Sequence, residues 1–328
     1  MHTTPEPSSQ AGSDASGHQA SDFTYSIVVP VYNSAGIVGT TVDEIVATME
    51  AEGLKYELVL VNDGSHDNSW EVIADRARRY PHVTAIRLLK NYGQHNANLA
   101  GLRASTGDYV ITMDDDLQNP PDQIRLLIDK VLQGHDVVFG EFESKQAAPH
   151  RRMGSKLIGL INRRVFSQPP DLVVSNFRIM RRDVVDRICA ASTPYPYITG
   201  QALMYSSRQA NVVVRHEPRA VGRSTYGTLR IVRLVLTILF SYSVFPLRLA
   251  AALGFVIALF SMALGVYFLV SGWVSGTRVP GWTTLVVLVA SLNGVIIALL
   301  SMLGEYVIRT LNTVSSIETY HVVEQVSQ

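Results

Sequence analysis

Three consecutive carboxylates, Asp114, Asp115 and Asp116, follow an apolar, β-branched run at residues 109–113. Adjacent carboxylates at the end of a strand repel one another unless a cation neutralises them. Oxygen ligands two residues apart, from Asp114 and Asp116, suit Mg²⁺ or Mn²⁺ held against a diphosphate. The same Asp-x-Asp pattern also occurs in turns and helix caps, but its position after a buried strand favours a cation site.

Polar residues also follow two other apolar runs. The segment 62–65 reads Asn-Asp-Gly-Ser, and Tyr32 and Asn33 follow the β-branched run at residues 25–31. Asp-Gly is common in simple turns, and Tyr32 could either stack on a nucleotide base or pack against the domain. Three strand ends that each carry polar residues favour one shared ligand site over three unrelated turns.

Strand-like and helix-like patterns alternate from residue 25 onward. This alternation predicts an α/β domain with a largely parallel central sheet. Ligands of such sheets bind beyond the carboxyl ends of the strands, where the three polar segments lie. The predicted strands are residues 25–31, 57–61, 83–88, 109–113 and 137–140, and the predicted helices are residues 37–52, 69–80, 96–105 and 121–133.

The 28 Lys and Arg balance the 28 Asp and Glu, but the charges are segregated along the chain. Residues 1–140 hold 19 acidic and 9 basic side chains, whereas residues 141–250 hold 6 acidic and 17 basic ones. An acidic half suits a divalent cation, and a basic half suits phosphates or anionic lipid head groups. A cytoplasmic flank that obeys the positive-inside rule would show the same basic excess. The single cysteine, Cys189, excludes a disulfide framework and a multi-cysteine metal site.

Two uncharged runs of 22 residues lie near the C-terminus, at 249–270 and 282–303. A helix of about 20 residues can cross a hydrocarbon core of about 30 Å. Two buried core helices are the alternative, but soluble core helices rarely run so long without a charge. The connector between the runs carries only Arg278, whereas arginines are frequent before the first run, which predicts that both termini are cytoplasmic.

These features divide the chain into six predicted segments. Residues 1–22 form a disordered leader that lacks the apolar region of a signal peptide, and residues 23–228 form the α/β domain. Residues 229–246 mix basic and apolar side chains, which predicts helices in the membrane interface, with an ordinary amphipathic helix as the alternative. Residues 247–273 and 280–304 are predicted transmembrane helices, and residues 305–328 a cytoplasmic tail. The chain is therefore predicted to be a multi-pass protein of the plasma (inner) membrane.

Seven short segments are jointly more specific than any one of them: 30–33 (Pro-Val-Tyr-Asn), 62–65 (Asn-Asp-Gly-Ser), 91–95 (Asn-Tyr-Gly-Gln-His), 114–121 (Asp-Asp-Asp-Leu-Gln-Asn-Pro-Pro), 222–226 (Gly-Arg-Ser-Thr-Tyr), 245–248 (Phe-Pro-Leu-Arg) and 303–306 (Leu-Gly-Glu-Tyr). Together they resemble glycosyltransferase family 2 from about residue 25 to the second uncharged run. The resemblance is closest to the polyprenyl-phosphate branch, which includes dolichol-phosphate mannose synthases, bactoprenol glucosyl transferases and undecaprenyl-phosphate aminoarabinose transferases.

The resemblance implies a GT-A fold, which is a Rossmann-like α/β domain with a mostly parallel sheet, and inverting transfer from a nucleotide-sugar. The expected donor is a UDP-sugar, because the bacterial branches that the chain resembles most use UDP-sugars. The implied site has three groups of residues. The nucleotide-sugar is held by Pro30, Tyr32 and Asp63, with Asp114 and Asp115. Mg²⁺ or Mn²⁺ is bound against the diphosphate by Asp114, Asp116 and Gln118. The catalytic group consists of Asp116 and of four residues that face the acceptor and donor phosphates, Arg151, Ser155, Arg178 and Arg219.

Three positions depart from the family pattern. Ser34 stands where an acidic residue is usual, and Asn62 stands where the family has the first Asp of Asp-Asp-Gly-Ser. Thr225 stands where a lysine is common. The first two departures bear on the nucleoside contacts.

The acceptor that the resemblance implies is undecaprenyl or decaprenyl phosphate, and the product would serve cell-envelope glycan modification. A phosphate monoester is already ionised near neutral pH, because its second pKa is about 6. It therefore needs no general base, only cationic groups that hold it in line with the anomeric carbon, and arginine suits that role through its planar fork. The other expected partners are membrane lipids and further copies of the chain in a tetramer, with no nucleic acid.

Two other functions are compatible with parts of this pattern. A processive polysaccharide synthase shares the GT-A domain, but the Gln-x-x-Arg-Trp motif of those enzymes is absent from the sequence. A non-catalytic membrane scaffold descended from a transferase would be expected to lose the metal carboxylates, whereas Asp114 and Asp116 are present.

Overall fold

The structure is a computed structural model that describes residues 19–142, 163–166, 168–191, 193, 196–217 and 319–328, and individual positions between 249 and 310. The strands within this part of the chain are β1 (Thr24–Val31), β2 (Lys55–Asn62), β3 (Val83–Leu88), β4 (Tyr109–Thr112), β5 (Val137–Phe142), β6 (Arg178–Arg181), β7 (Gln209–Val214) and β8 (Val322–Val326). The helices that flank them are α1 (Val38–Ala51), α2 (Ser69–Arg79), α3 (Gln94–Ala104), α4 (Ile124–Val131), α5 (Arg182–Ala190) and α6 (Ile198–Met204).

The eight strands form one sheet in the order β7-β5-β6-β4-β1-β2-β3-β8. Strand β1 pairs in parallel with β2 and β4, β2 pairs in parallel with β3, and β5 pairs in parallel with β7. Strand β6 runs antiparallel between β4 and β5, and β8 runs antiparallel along β3. The sheet, which was predicted to be largely parallel, is over the described residues a mixed sheet with four parallel and three antiparallel strand pairs. The carboxyl ends of β1, β2 and β4 lie side by side in it.

Both faces of the central strands are buried, which explains their continuous apolar runs. Ile27 and Val29 face a core formed with α1, α2 and α4, whereas Val28 faces a second core formed with α3, α5 and α6. Because successive side chains of a strand point to opposite faces, one strand serves both helix layers. Gly101 permits α3 to lie close to the sheet, since a Cβ atom there would come within 2.3 Å of Val28 Cγ1.

The first five strands and the first three helices lie within a few residues of their predicted bounds. The predicted helix at 121–133 is instead a 3-10 turn, Pro121–Gln123, followed by the shorter helix α4. At the N-terminus, residues 20–22 form a 3-10 turn and the Tyr25 hydroxyl donates to the Ala20 carbonyl at 3.0 Å. The predicted disordered leader 1–22 is therefore wrong for its last residues, because their backbone is bonded to the domain.

The C-terminal residues of the predicted tail form β8 at the edge of the sheet. The Leu89 N–H donates to the His321 carbonyl at 2.9 Å, and Arg103 lies over the ring of Tyr320, 5.5 Å from its centroid. The interfacial segment 229–246 lies outside the described residues, as does much of the predicted spans 247–273 and 280–304. The structure describes no helix that is both long enough and apolar enough to span a membrane.

Candidate active site

The end of β2 is held by a buried carboxylate. Asp63, which is 3% exposed, accepts the Tyr92 N–H on Oδ1 at 2.7 Å and the Gly93 N–H on Oδ2 at 2.9 Å. Burial raises the pKa of Asp63, and these two hydrogen bonds oppose the rise. Gly64 follows with φ +62°, and a Cβ atom there would lie 2.3 Å from the Lys90 carbonyl carbon. Asp63 and Gly64 therefore bring the 91–95 segment against the strand end.

The end of β1 turns sharply beside it. Asn33 has φ 52°, a left-handed conformation that asparagine tolerates, and its N–H donates to Ser65 Oγ at 3.0 Å. Tyr32 is 44% exposed, so its ring is available to a ligand at this edge of the sheet. Pro30 is buried in β1 opposite Val61 of β2. The residues predicted to hold the nucleoside thus lie on neighbouring strand ends.

The carboxylates after β4 point in different directions. Asp114 Oδ1 accepts the side-chain amides of Gln94 at 2.7 Å and Asn176 at 2.8 Å. Asp115 instead turns toward β1, where its Oδ2 accepts the Tyr32 N–H at 3.4 Å. Burial raises the pKa of Asp115 to about 6, with the negative charges of Asp114 and Asp116 adding to the rise. Such mutual repulsion is the condition that a bound cation relieves.

Asp116 and Gln118 are brought together by a strained backbone. Leu117 has φ 56°, a left-handed conformation that is costly for a leucine, and the Gln118 N–H donates to Asp116 Oδ1 at 3.2 Å. The Gln118 amide nitrogen lies 3.3 Å from His216 Nε2, and the Gln118 carbonyl accepts the Glu217 N–H at 2.9 Å. His216, which the sequence analysis did not single out, therefore adjoins the predicted cation ligands.

A buried arginine and a partly buried histidine lie beneath this surface. Arg178 is fully buried and donates from Nη1 to Thr199 Oγ1 at 2.8 Å, while its Nε and Nη2 lack hydrogen-bond partners within the described structure. Burial lowers the pKa of Arg178 to about 10. Burial, with the neighbouring Arg178 charge, lowers the pKa of His95 to about 4, so His95 is neutral at pH 7. His95 packs edge-on against Tyr197, which is the role of a packing residue rather than a catalytic one.

The donor set fits Mg²⁺ or Mn²⁺ as part of a ternary site. Asp114, Asp116 and Gln118 supply the oxygen ligands that these cations prefer, and Mg²⁺ is commonly held by one or two carboxylates plus substrate phosphates. Over the described part of the chain, no three His, Cys, Asp or Glu side chains converge on one point as a complete metal site. The arrangement therefore suits a cation that a diphosphate helps to bind.

The structure brings together all of the predicted site residues that it describes: Pro30, Tyr32, Asp63, Asp114, Asp115, Asp116 and Gln118 lie at adjoining strand ends, with Arg178 buried below. Arg151, Ser155 and Arg219 lie outside the described residues. Asn176 was missed, because it is 62 residues from Asp114 along the chain and belongs to no recognisable local motif. Gln94 lies within the 91–95 segment that carried the resemblance, although its contact with Asp114 was not predicted.

Comparison with known proteins identifies the class. Residues 26–189 match the family model for "Glycosyl transferase family 2". The chain therefore belongs to glycosyl transferase family 2 and is a glycosyltransferase, as predicted.

Two relatives match along nearly the whole chain. An undecaprenyl-phosphate 4-deoxy-4-formamido-L-arabinose transferase of Shewanella sediminis is 34% identical over 93% of this chain and 93% of its own. A protein of the same name from Klebsiella pneumoniae is 31% identical over 92% of this chain and 94% of its own. The predicted relation to the polyprenyl-phosphate branch is confirmed.

Among solved structures, glucosyl-3-phosphoglycerate synthase from Mycobacterium tuberculosis in complex with phosphoglyceric acid superposes with a TM-score of 0.52, at 18% identity, over 67% of this chain and 80% of that one. The same enzyme with Mn²⁺, UDP and phosphoglyceric acid also gives a TM-score of 0.52. At this identity the similarity establishes the fold alone, and the predicted GT-A-like α/β fold is confirmed.

Proposed function

We propose that this glycosyltransferase transfers a sugar from a UDP-sugar to a polyprenyl phosphate, with inversion at the anomeric carbon. The product would be a polyprenyl-phosphate sugar for cell-envelope glycan modification. The observation that carries the proposal is the full-length similarity to undecaprenyl-phosphate transferases, which extends well beyond the α/β domain to 93% of both chains. Undecaprenyl or decaprenyl phosphate is the acceptor class that this similarity favours.

The donor half of the proposal is supported by the adjoining strand ends. The exposed ring of Tyr32 could stack on the base, and Asp63 holds the 91–95 segment at the same edge. Asp114, Asp116 and Gln118 would hold Mg²⁺ or Mn²⁺ against the diphosphate. When bound, such a cation stabilises the negative charge of the departing diphosphate.

The acceptor half of the proposal is supported by the buried guanidinium of Arg178, which lies below Asp114. An ionised phosphate needs positioning rather than proton removal, and the chain's task is to hold it in line with the anomeric carbon. Two nitrogens of Arg178, Nε and Nη2, have no hydrogen-bond partner within the described structure, and a guanidinium can bind two phosphate oxygens at once. Arg151, Ser155 and Arg219 complete the proposed phosphate-binding group.

We further propose that the enzyme acts on the cytoplasmic face of the plasma membrane and that the chain crosses it twice. Strand β7 ends at Val214 and β8 begins at Val322, and both belong to one sheet. A chain that leaves and rejoins the same domain must cross a membrane an even number of times. Described positions of the two uncharged runs are helical, and Phe260 and Trp273 are 67% and 93% exposed.

A transfer assay tests the reaction. The full-length chain in detergent would be incubated with radiolabelled UDP-sugars or GDP-sugars and undecaprenyl phosphate, and the lipid extract counted. One UDP-sugar should label the lipid, and Asp116→Asn should not support transfer, whereas Asp129→Asn, on the exposed side of α4, should behave as wild type. Label in a polymer would indicate a processive synthase, and absence of lipid label with every donor would refute the proposed acceptor.

A labelling experiment tests the topology. Ser275→Cys, in the connector, should react with an impermeant thiol reagent applied to intact cells. Burial raises the pKa of Cys189 to about 11, which makes this thiol a slow reactant, and a Cys189→Ser background removes it altogether. Labelling of a cysteine placed in the α/β domain from outside would overturn the orientation. The predicted tetramer stays a prediction, which sedimentation in detergent would check.

A further inference from the structure

Asp114 is held from two different parts of the fold. Gln94 lies at the first turn of α3, and Asn176 lies just before β6, yet both side-chain amides donate to the same oxygen, Oδ1. A carboxylate offers about four lone-pair sites, so two amide hydrogen bonds still leave acceptor capacity for a cation. Two donors on one oxygen also restrict rotation of the carboxylate plane.

Asn176 is itself held in one orientation. Its Oδ1 accepts the side-chain amide of Asn98 at 3.0 Å, and Asn98 is fully buried in α3. Its main-chain carbonyl accepts the Thr112 hydroxyl at 2.5 Å, and Thr112 is the last residue of β4. If the Asn176 amide were reversed, its oxygen would face the Asp114 carboxylate and its NH₂ group would face that of Asn98. The hydrogen bonds therefore run in one direction, from Asn98 to Asn176 to Asp114.

We propose that Asn176, oriented by Asn98, is a positioning residue that fixes Asp114 for cation binding. The inference rests on the proposed function, in which Asp114 is a cation ligand. Hydrogen bonds to a carboxylate favour its charged form, which is the form that binds a cation. Groups that orient a metal ligand from behind typically account for about 10–100-fold in metal affinity.

A purely structural role would predict a different result. In such a role, the hydrogen bonds of Asn176 would only hold the segment before β6 against β4, and their loss would disturb the segment as a whole. Asn211 offers a matched control, because it ties the same segment to the sheet without touching the site. Its side chain accepts the Val173 N–H at 2.9 Å, and donates to the Val173 carbonyl at 2.7 Å and the Phe139 carbonyl at 3.2 Å.

The experiment is a titration of the full-length chain in detergent with Mn²⁺ in the presence of a constant, saturating concentration of UDP, because the site suits a cation that a diphosphate helps to bind. The electron paramagnetic resonance signal of Mn²⁺ follows the titration, with the same UDP solution without protein as the reference for Mn²⁺ that the protein does not hold. Asn176→Ala should raise the Kd for Mn²⁺ by about 10–100-fold. Asn98→Ala should raise it by less, because Asn98 acts only through Asn176. Asn211→Ala should leave the Kd within about twofold of wild type even if it lowers the melting temperature. Excess Mn²⁺ should restore sugar transfer by Asn176→Ala toward the wild-type rate.

An unchanged Kd in Asn176→Ala would refute the positioning role, as would an equal increase in Asn211→Ala. Failure of excess Mn²⁺ to restore transfer would also contradict it. If wild type binds no Mn²⁺ in this titration, the inference falls, while the lipid-transfer assay still decides the proposed function independently.

Discussion

The carboxyl ends of β2 and β4 each carry an aspartate that accepts two N–H groups, but the donors differ in kind. Asp63 receives two main-chain N–H groups, one on each oxygen, from adjacent residues of a single segment. Asp114 receives two side-chain amides on one oxygen, from segments that are 20 and 62 residues away along the chain. The first arrangement joins a loop to a strand end, and the second orients a carboxylate.

The difference separates two tasks that look alike in the sequence. Asp63 is 3% exposed and both of its oxygens are engaged with the backbone, so its removal leaves two main-chain donors without acceptors. The donors of Asp114 are amides at a partly exposed position, where water can replace the carboxylate. Asp63 should therefore matter more to stability, and Asp114 more to chemistry.

Asp114→Ala should have the largest effect on sugar transfer. Loss of a proposed cation ligand is expected to cost several kcal/mol of transition-state stabilisation, which is a rate decrease of about 10²–10³-fold. The melting temperature should change little. The measurement is initial-rate transfer to extractable lipid together with thermal unfolding. A fall in melting temperature equal to that of Asp63→Ala would erase the distinction between the two aspartates.

His95 follows Gln94 in α3, and its titration tests whether water is excluded from the packing around its ring. Its folded-state pKa of about 4 is below the ordinary value of 6.5, so its neutral form favours the folded state. This contribution is complete above pH 6.5 and is lost as pH falls toward 4, for a total of about 3 kcal/mol. His95→Phe keeps a ring against Tyr197 but cannot titrate. The wild-type unfolding free energy should therefore fall more steeply than that of His95→Phe between pH 6.5 and 4, and parallel curves would contradict the burial of a neutral imidazole.

Asp63→Ala should mainly lower stability. Two partly buried main-chain N–H groups would lose their acceptors, and an unsatisfied buried group costs about 1–3 kcal/mol, which sets the upper end of the expected loss. Asp63→Asn should be nearly as damaging, because its NH₂ group would face a main-chain N–H. Unfolding free energies in denaturant measure the effect, with Asp129→Asn as an exposed control. Wild-type stability of both Asp63 variants would mean that water satisfies the 91–95 segment.

Gln94→Ala should have the smallest effect of the four, because Asn176 still holds Asp114. We expect transfer to slow by about 3–10-fold, equivalent to about 1 kcal/mol, which is the usual net worth of one hydrogen bond. The double variant with Asn176→Ala should lose more than the product of the single effects, since both amide hydrogen bonds to Asp114 Oδ1 would then be lost. Strict additivity would indicate that the two amides act independently.

Local sequence predicted the first half of the fold well. Between residues 24 and 142, apolar runs and the polar turns after them depend on neighbouring residues, so strands and helices could be placed without tertiary information. The segments 30–33, 62–65 and 114–118 were also correctly assigned to one edge of the sheet. That assignment follows from parallel pairing, which brings the carboxyl ends of β1, β2 and β4 together.

Later elements were beyond the reach of local patterns. Strand β6 carries Arg178 and Arg181 among its four residues, which is not the composition of a predicted strand. Strand β8 has three valines among its five residues, but it begins at Val322, far along the chain from the end of β7 at Val214. The position of β6 depends on the edge of β4 that β1 leaves unpaired, and the position of β8 depends on the edge of β3 that β2 leaves unpaired. The antiparallel placement of β6 is what delivers Arg178 opposite Thr112 in β4.

The sequence by itself determined the α/β class, the three polar strand ends and the family of this enzyme, because each can be recognised from short segments of consecutive residues. Only the tertiary structure decided what each polar side chain does. The hydrogen bond from Asn98 to Asn176 joins residues 78 positions apart, and the one from Asn176 to Asp114 joins residues 62 positions apart. The burial of Arg178 and the packing of His95 depend on contacts between β6, α3 and the residues around Tyr197. Hydrogen-bond direction and burial are properties of neighbours in space, and no local pattern identifies those neighbours.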